Sequence, residues 1–141
     1  MTDIAELAVK LNRKIEWQKL PAGMSRSEKN YMLQSAIIEG IENLFVVTGR
    51  AAAYENYVTK DEDEFNYDLL LDEKLYVMCY AEMVVYQKVR TQYTDLLGYT
   101  TNALTVTNAD KPYAYMTGTI DELKKRLELY YYKMVRFSHL T

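Results

Sequence analysis

LLDEKLYVMCYAEMVVYQKVRTQYTDLLGYTTNALTVTNADKPYAYMTGTIDELKKRLELYYYKM, residues 70–134, is the stretch on which the fold class of this chain turns. Its first part has a helical period. Leu71, Leu75, Met78, Glu82, Val85 and Val89 share one side, while Tyr76, Tyr80, Met83 and Tyr86 cover others. The spacing predicts a helix over about 69–93, capped by Asp68 and apolar nearly all round. Such a helix is either the central one of a bundle or is covered on its second face by another subunit. Between 91 and 118 the period fades into Thr, Tyr, Asn and Gly. Leu104, Thr105, Val106 and Thr107 alternate like a strand, residues 108–112 supply turn formers, and Tyr113, Ala114, Tyr115 and Met116 alternate back, which predicts a β-hairpin. Thr119 and Glu122 then form a capping-box pattern, and Ile120, Leu123, Leu127, Tyr130, Met134 and Phe137 follow one face of a last helix over 119–137.

Upstream, Ile4, Leu7, Ala8, Leu11 and Ile15 recur at three and four, predicting an amphipathic helix over 3–17 capped by Asp3 with Glu6. Pro21 and Gly23 break it. Ser25 and Glu28 make a second capping box, and Leu33, Ile37, Ile41 and Leu44 carry a helix as far as the stop at Gly49. Residues 51–58 fit either a helical extension or a short extended piece. The expectation is a mainly α fold, a bundle of three to four helices with a β-hairpin or extended arm inserted before the last helix. It forms one domain over 1–141: N-terminal helix and turn 1–24, helical core 25–93, hairpin arm 94–118, C-terminal helix 119–137 and tail 138–141.

Composition agrees with one domain. The chain has 141 residues, and domains most often run about 100 to 150. Hydrophobic residues make up 49% and charged residues 26%, enough to bury a core and too balanced for wholesale disorder. The formal charge of -3 is too weak to drive binding to bulk nucleic acid or anionic membrane. The N-terminus lacks the apolar stretch of a secretory signal, and the longest apolar run, 75–81, stops at Glu82, well short of the roughly 18 to 20 residues that cross a bilayer. A soluble protein not exported by that route is expected. Cys79 inside the run reads as a small core hydrophobe.

Few residues suit catalysis. One Cys and one His leave no intramolecular disulfide and none of the usual zinc ligand sets, and no GxGxxG, P-loop, HExxH, CxxC or GxSxG pattern is present. No cofactor, metal or catalytic residue is expected. Asp61, Glu62, Asp63 and Glu64, with Asp68 and Asp72 beyond, lack the glycine and terminal glutamate of an EF-hand, so a self-repelling surface loop is the favoured reading over a cation site. Glu82 is either a buried general acid or, as favoured, the partner of an Arg or Lys at a subunit contact. Lys124, Lys125, Arg126, Lys133 and Arg136 can grip phosphates, but intervening acids and i to i+4 pairs such as Glu122 with Arg126 explain them without a ligand. His139 lies in the short tail and reads as incidental.

Fourteen Tyr against three Phe and one Trp is the least average feature. Tyr suits surfaces that are buried in one setting and wet in another. About half of these rings, Tyr80 and Tyr131 among them, should complete the core. Tyr93, Tyr99, Tyr113 and Tyr115, together with Leu96, Leu97, Leu104 and Val106, are too much for one hairpin to bury, so a partner or a neighbouring subunit is expected to cover them.

A small helical domain with an excursion before its final helix, carried mainly by residues 70–134 and loosely by 26–137, resembles the head-tail connector proteins of tailed bacteriophages, also called adaptor or head-completion proteins. The resemblance implies a non-enzymatic structural protein of the virion neck, assembled in the host cytoplasm. It would form a homo-oligomeric ring, commonly of twelve copies, between the portal protein and a stopper or tail-completion protein, with DNA passing through and no membrane involved. It also implies that the hairpin makes inter-subunit contacts, that Asp61, Glu62, Asp63 and Glu64 face the channel where carboxylates repel phosphate, and that a tail with Phe137, His139 and Leu140 docks on the portal. The N-terminal helix has no counterpart in that layout. The alternative is a small helical regulatory or adaptor module that binds one cellular protein through the Tyr-rich hairpin.

Overall fold

Asp3 starts the first helix: in the computed structural model, which describes residues 2–21, 24–57, 64–99 and 110–138, its carboxylate accepts the backbone N–H of Ala5 at 3.0 Å and of Glu6 at 3.3 Å. Helix α1 (Ile4–Lys14) buries Ile4, Leu7, Ala8 and Leu11 along one stripe. It ends where Ile15 turns extended, and a 3-10 turn (Trp17–Lys19) follows. Helix α2 (Arg26–Val47) begins as the capping box requires, with Ser25 Oγ accepting the Glu28 N–H at 3.2 Å. It stops at Gly49, whose φ of 73° is the left-handed conformation glycine adopts without steric cost. There the Gly49 N–H bonds the Val46 carbonyl and the Arg50 N–H bonds the Phe45 carbonyl, closing the end in a Schellman motif.

A 3-10 turn (Ala51–Asn56) leads away from α2. Two short strands, β1 (Thr2–Asp3) and β2 (Glu64–Phe65), pair antiparallel, Thr2 opposite Phe65 and Asp3 opposite Glu64. Helix α3 (Leu71–Tyr99) then runs the length of the molecule and α4 (Asp110–Ser138) returns alongside it. Gly40 of α2 approaches Val77 of α3 closely enough that a Cβ would lie 2.9 Å from the Val77 carbonyl oxygen. Tyr76 Oη bonds Asn43 across the same seam. On the other side Cys79 Sγ donates to the Leu123 carbonyl at 3.4 Å and Arg90 Nη1 to Thr117 Oγ1 at 3.3 Å, so α2 and α4 both lie antiparallel to α3.

Helix α3 is the central helix. Tyr76, Val77, Met78, Cys79, Ala81, Met83, Val84, Val85, Tyr86 and Val89 are buried around nearly its whole circumference. Of the two readings open for this helix, the chain's own α1, α2 and α4 supply the cover, without another subunit. Met116, Ile120, Leu123 and Met134 bring the buried face of α4 against it. The fold is mainly α, and four helices share one core.

Three expectations are corrected. Tyr113, Ala114, Tyr115 and Met116 are not a returning strand; they lie in the second turn of α4, which starts at Asp110 instead of Thr119. Pro112 misleads here, because in the first turn of a helix a missing N–H breaks no intrahelical bond. Helix α3 likewise continues to Tyr99, so the arm assigned to 94–118 is helical at both ends; its other strand, 104–107, lies outside the described residues. Second, Asp68 does not cap α3. Leu70 occupies the cap, its carbonyl accepting the Lys74 N–H at 2.8 Å, and Glu73 reaches back to the Leu70 N–H at 2.9 Å. Third, Glu64 pairs with Asp3 in a strand instead of continuing the acidic loop. Residues 51–56 settle as a 3-10 turn.

Candidate functional site

Two polar clusters hold the ends of the elements in place. At the foot of the bundle, Arg50 leaves the end of α2 and lays its guanidinium over the Phe45 ring at 4.5 Å and the Tyr67 ring at 5.4 Å. Its Nη2 donates to Glu73 Oε2 at 2.8 Å and its Nη1 to Tyr67 Oη at 3.0 Å. Glu73 is buried and spends Oε1 on capping α3. Around this pair Phe45, Tyr54, Tyr57, Phe65 and Tyr67 pack ring to ring, with centroids 5.3 to 6.1 Å apart. Aromatic contacts of this kind add stability beyond their buried area. The cluster fastens the α2–α3 crossover.

The second cluster sits where α1 ends. Tyr115 Oη donates to Glu16 Oε2 at 2.9 Å, Lys19 Nζ lies 2.7 Å from the same oxygen, and Tyr86 Oη accepts the Glu16 N–H at 3.3 Å. Lys19 and Tyr115 together hold the Glu16 carboxyl below its ordinary value. Glu82 lies nearby on α3. Burial pushes its carboxyl up, Lys14 and Arg126 pull it down, and Glu122 and Glu16 add to the rise. The cations near Glu82 within the chain are Lys14 on α1 and Arg126 on α4.

Neither cluster joins a nucleophile to a base. Burial raises the Cys79 thiol to about 11 and the Tyr76 hydroxyl to about 12, so both stay protonated at neutral pH. Among the described residues no three His, Cys, Asp or Glu side chains are placed to hold a metal ion. No helix among them is long and apolar enough to cross a membrane.

Of the expected contact residues, Tyr93 and Tyr115 are half-buried against the core and Tyr113 is partly exposed, with the Arg90 guanidinium 6.0 Å from its ring. Leu96, Leu97 and Tyr99 lie in the last turns of α3. Leu104, Val106, Asp61, Glu62, Asp63, His139 and Leu140 lie outside the described residues; Phe137 is in the last turn of α4. Tyr80 and Tyr131 pack on the core as expected. On α4, Arg126 pairs with Glu122 at 3.3 Å and Lys133 lies over Tyr130 at 5.8 Å.

The sequence reading missed the apolar residues on the outer side of the last helix. Leu129 is 62% and Tyr132 67% exposed, on the side of α4 away from Leu123 and Met134. Their spacing of three was the available signal, set in a run of three tyrosines, 130–132, of which the sequence assigned Tyr131 to the core. A groove of about 560 Å³ also runs between α1 and α2. No protein-family model, curated protein or solved structure matches this chain.

Proposed function

We propose that the chain is a structural head-tail connector of a tailed phage, a non-enzymatic adaptor whose copies close a ring between portal and tail or stopper and continue the DNA channel. The observation that carries the reading is α4. This 29-residue helix packs one face on α3 while holding Leu129 and Tyr132 out to solvent on another. An apolar pair on a long helix is a surface for a neighbouring wedge, and many modest contacts of that kind sum when a ring closes. The long antiparallel α3–α4 pair is in keeping with the helical part alone of the layout on which the resemblance rests. The hairpin does not contribute, since Tyr113 and Tyr115 belong to the helix.

The test is recovery of the tagged protein from the cells in which it is made, with its companions identified by mass spectrometry. Portal and tail proteins in fixed proportion support the connector. A single cellular protein at one to one overturns it in favour of a regulatory module.

A further inference from the structure

We propose that the groove between α1 and α2 binds a short acidic peptide segment of a partner protein in extended form. This site is separate from the exposed face of α4 and stands whether or not the chain forms a ring.

The groove combines cations, side-chain amides and a small apolar floor. Arg26, Asn30 and Gln34 recur at intervals of four along α2 and so line one side as a stripe, with Lys29 next to them. Among the described residues no carboxylate lines the groove, and neither Arg26 nor Lys29 belongs to an ion pair. Arg13, one turn beyond Val9 on α1, is exposed and likewise outside those pairs. Side chains that only donate select a carboxylate as acceptor. Asn30 and Gln34 hydrogen-bond to no other described residue. A side-chain amide both donates and accepts, which makes it the complement of a peptide unit. Val9, 54% exposed with Ala5 beside it, offers an apolar side chain a place to rest.

Size and charge choose the occupant. Helix α1 has 11 residues, a length of about 16 Å and the reach of about five extended residues. A segment of that length in which acids flank apolar residues matches the cations with its carboxylates and Val9 with an apolar side chain. A nucleic acid fits less well. Trp17 borders the groove, but Lys29 Nζ lies 4.8 Å from its ring and its Nε1 donates to Asn12 Oδ1 at 2.8 Å. With one face and its only polar atom engaged, the indole is a poor platform for a stacking base. A long polyanion also runs past the cations onto a chain whose net charge is -3. A short peptide meets only the groove, since charges more than about 10 Å away are screened.

Trp17 is the chain's one tryptophan and borders the groove, so its fluorescence reports occupancy. The full chain is titrated with the capped peptide Glu-Val-Asp-Val-Glu, and calorimetry gives the affinity of each variant independently, because Lys29 touches the reporter ring. Saturable binding below about 1 mM is expected. It weakens about tenfold or more in Arg26→Gln/Lys29→Gln, whose circular dichroism stays like the wild type, and by as much when Gln and Asn replace the acids of the peptide. Lys124→Gln/Lys125→Gln, which removes two exposed cations of α4, leaves the affinity within about twofold. No saturable binding below about 1 mM overturns the site. Binding indifferent to Arg26→Gln/Lys29→Gln, or weakened equally by both double variants, overturns it too. A single-stranded DNA of about 20 nucleotides that binds more tightly than the peptide, and is lost with Arg26→Gln/Lys29→Gln, gives the groove to nucleic acid and overturns the peptide.

Discussion

The Tyr115 hydroxyl donates to the Glu16 carboxylate at 2.9 Å, tying the second turn of α4 to the turn after α1 across 99 residues of sequence. The ring beneath it meets Tyr86 edge-on, with centroids 6.1 Å apart. A residue expected to sit on a protruding arm is therefore part of the clasp between first and last helices. Tyr115→Ala, which loses the ring contact as well as the hydrogen bond, should cost about 2 kcal/mol, below the full-burial figure because the ring is half-exposed. Tyr115→Phe keeps the ring and should lose much less. Urea unfolding of both variants checks the order; equal losses would mean that the hydrogen bond alone carries the clasp.

Arg50 and Glu73 form the least exposed ion pair of the described residues. Arg50→Ala strips the buried Glu73 carboxylate of its cation and uncovers the Phe45 and Tyr67 rings. The expected loss is about 2 to 3 kcal/mol, reduced from the fully buried case because Arg50 is one-third exposed. Adding Glu73→Gln to Arg50→Ala should recover part of that loss, since no unpaired charge then remains. A double-mutant cycle in urea measures it, and additive losses would contradict the pairing.

Gly40 is required by packing. A Cβ there would meet the Val77 carbonyl oxygen at 2.9 Å and Val77 Cγ1 at 3.2 Å. Gly40→Ala gains about 1 kcal/mol in helix propensity, but pushing two backbones apart costs about 1 to 3 kcal/mol. A lower thermal midpoint is predicted. A higher midpoint would show that α2 and α3 can separate without penalty.

Glu82 sets a pH dependence whose sign follows from its raised carboxyl. The folded chain keeps a proton that the unfolded chain has released, so stability falls as pH rises from the ordinary carboxylate range through the raised value. Glu82→Gln removes this loss. Its thermal midpoint should exceed the wild type near about pH 7 and match it near about pH 4, where both forms of the wild type are largely protonated. A lower midpoint at neutral pH would mean that Lys14 and Arg126 outweigh burial.

What the sequence discloses is what repeats or caps locally. The stripe from Ile4 to Leu11, the Ser25 box, the Ile37, Ile41 and Leu44 row and the stop at Gly49 all appear where spacing puts them. Met116 keeps helical spacing with Ile120 and Leu123, which the sequence does place on the last helix, but Pro112 and a short alternation hid Met116 itself. Arg50 and Glu73 had no local signature, because their partnership depends on a crossover whose course the spacing does not give. The concentration of Phe45, Tyr54, Tyr57, Phe65 and Tyr67 within one stretch was the missed clue, since nothing in their spacing marks them as one cluster. Leu129 and Tyr132 were hidden for the converse reason: an apolar residue in a helix reads as core until the packed face is known.

Electron microscopy of the complex recovered with the tagged protein bears most directly on whether this chain is a ring-forming connector. Rings of many copies around a central channel, seated against a portal, are the predicted result. One copy bound to one cellular protein, with no rotational symmetry, would contradict it.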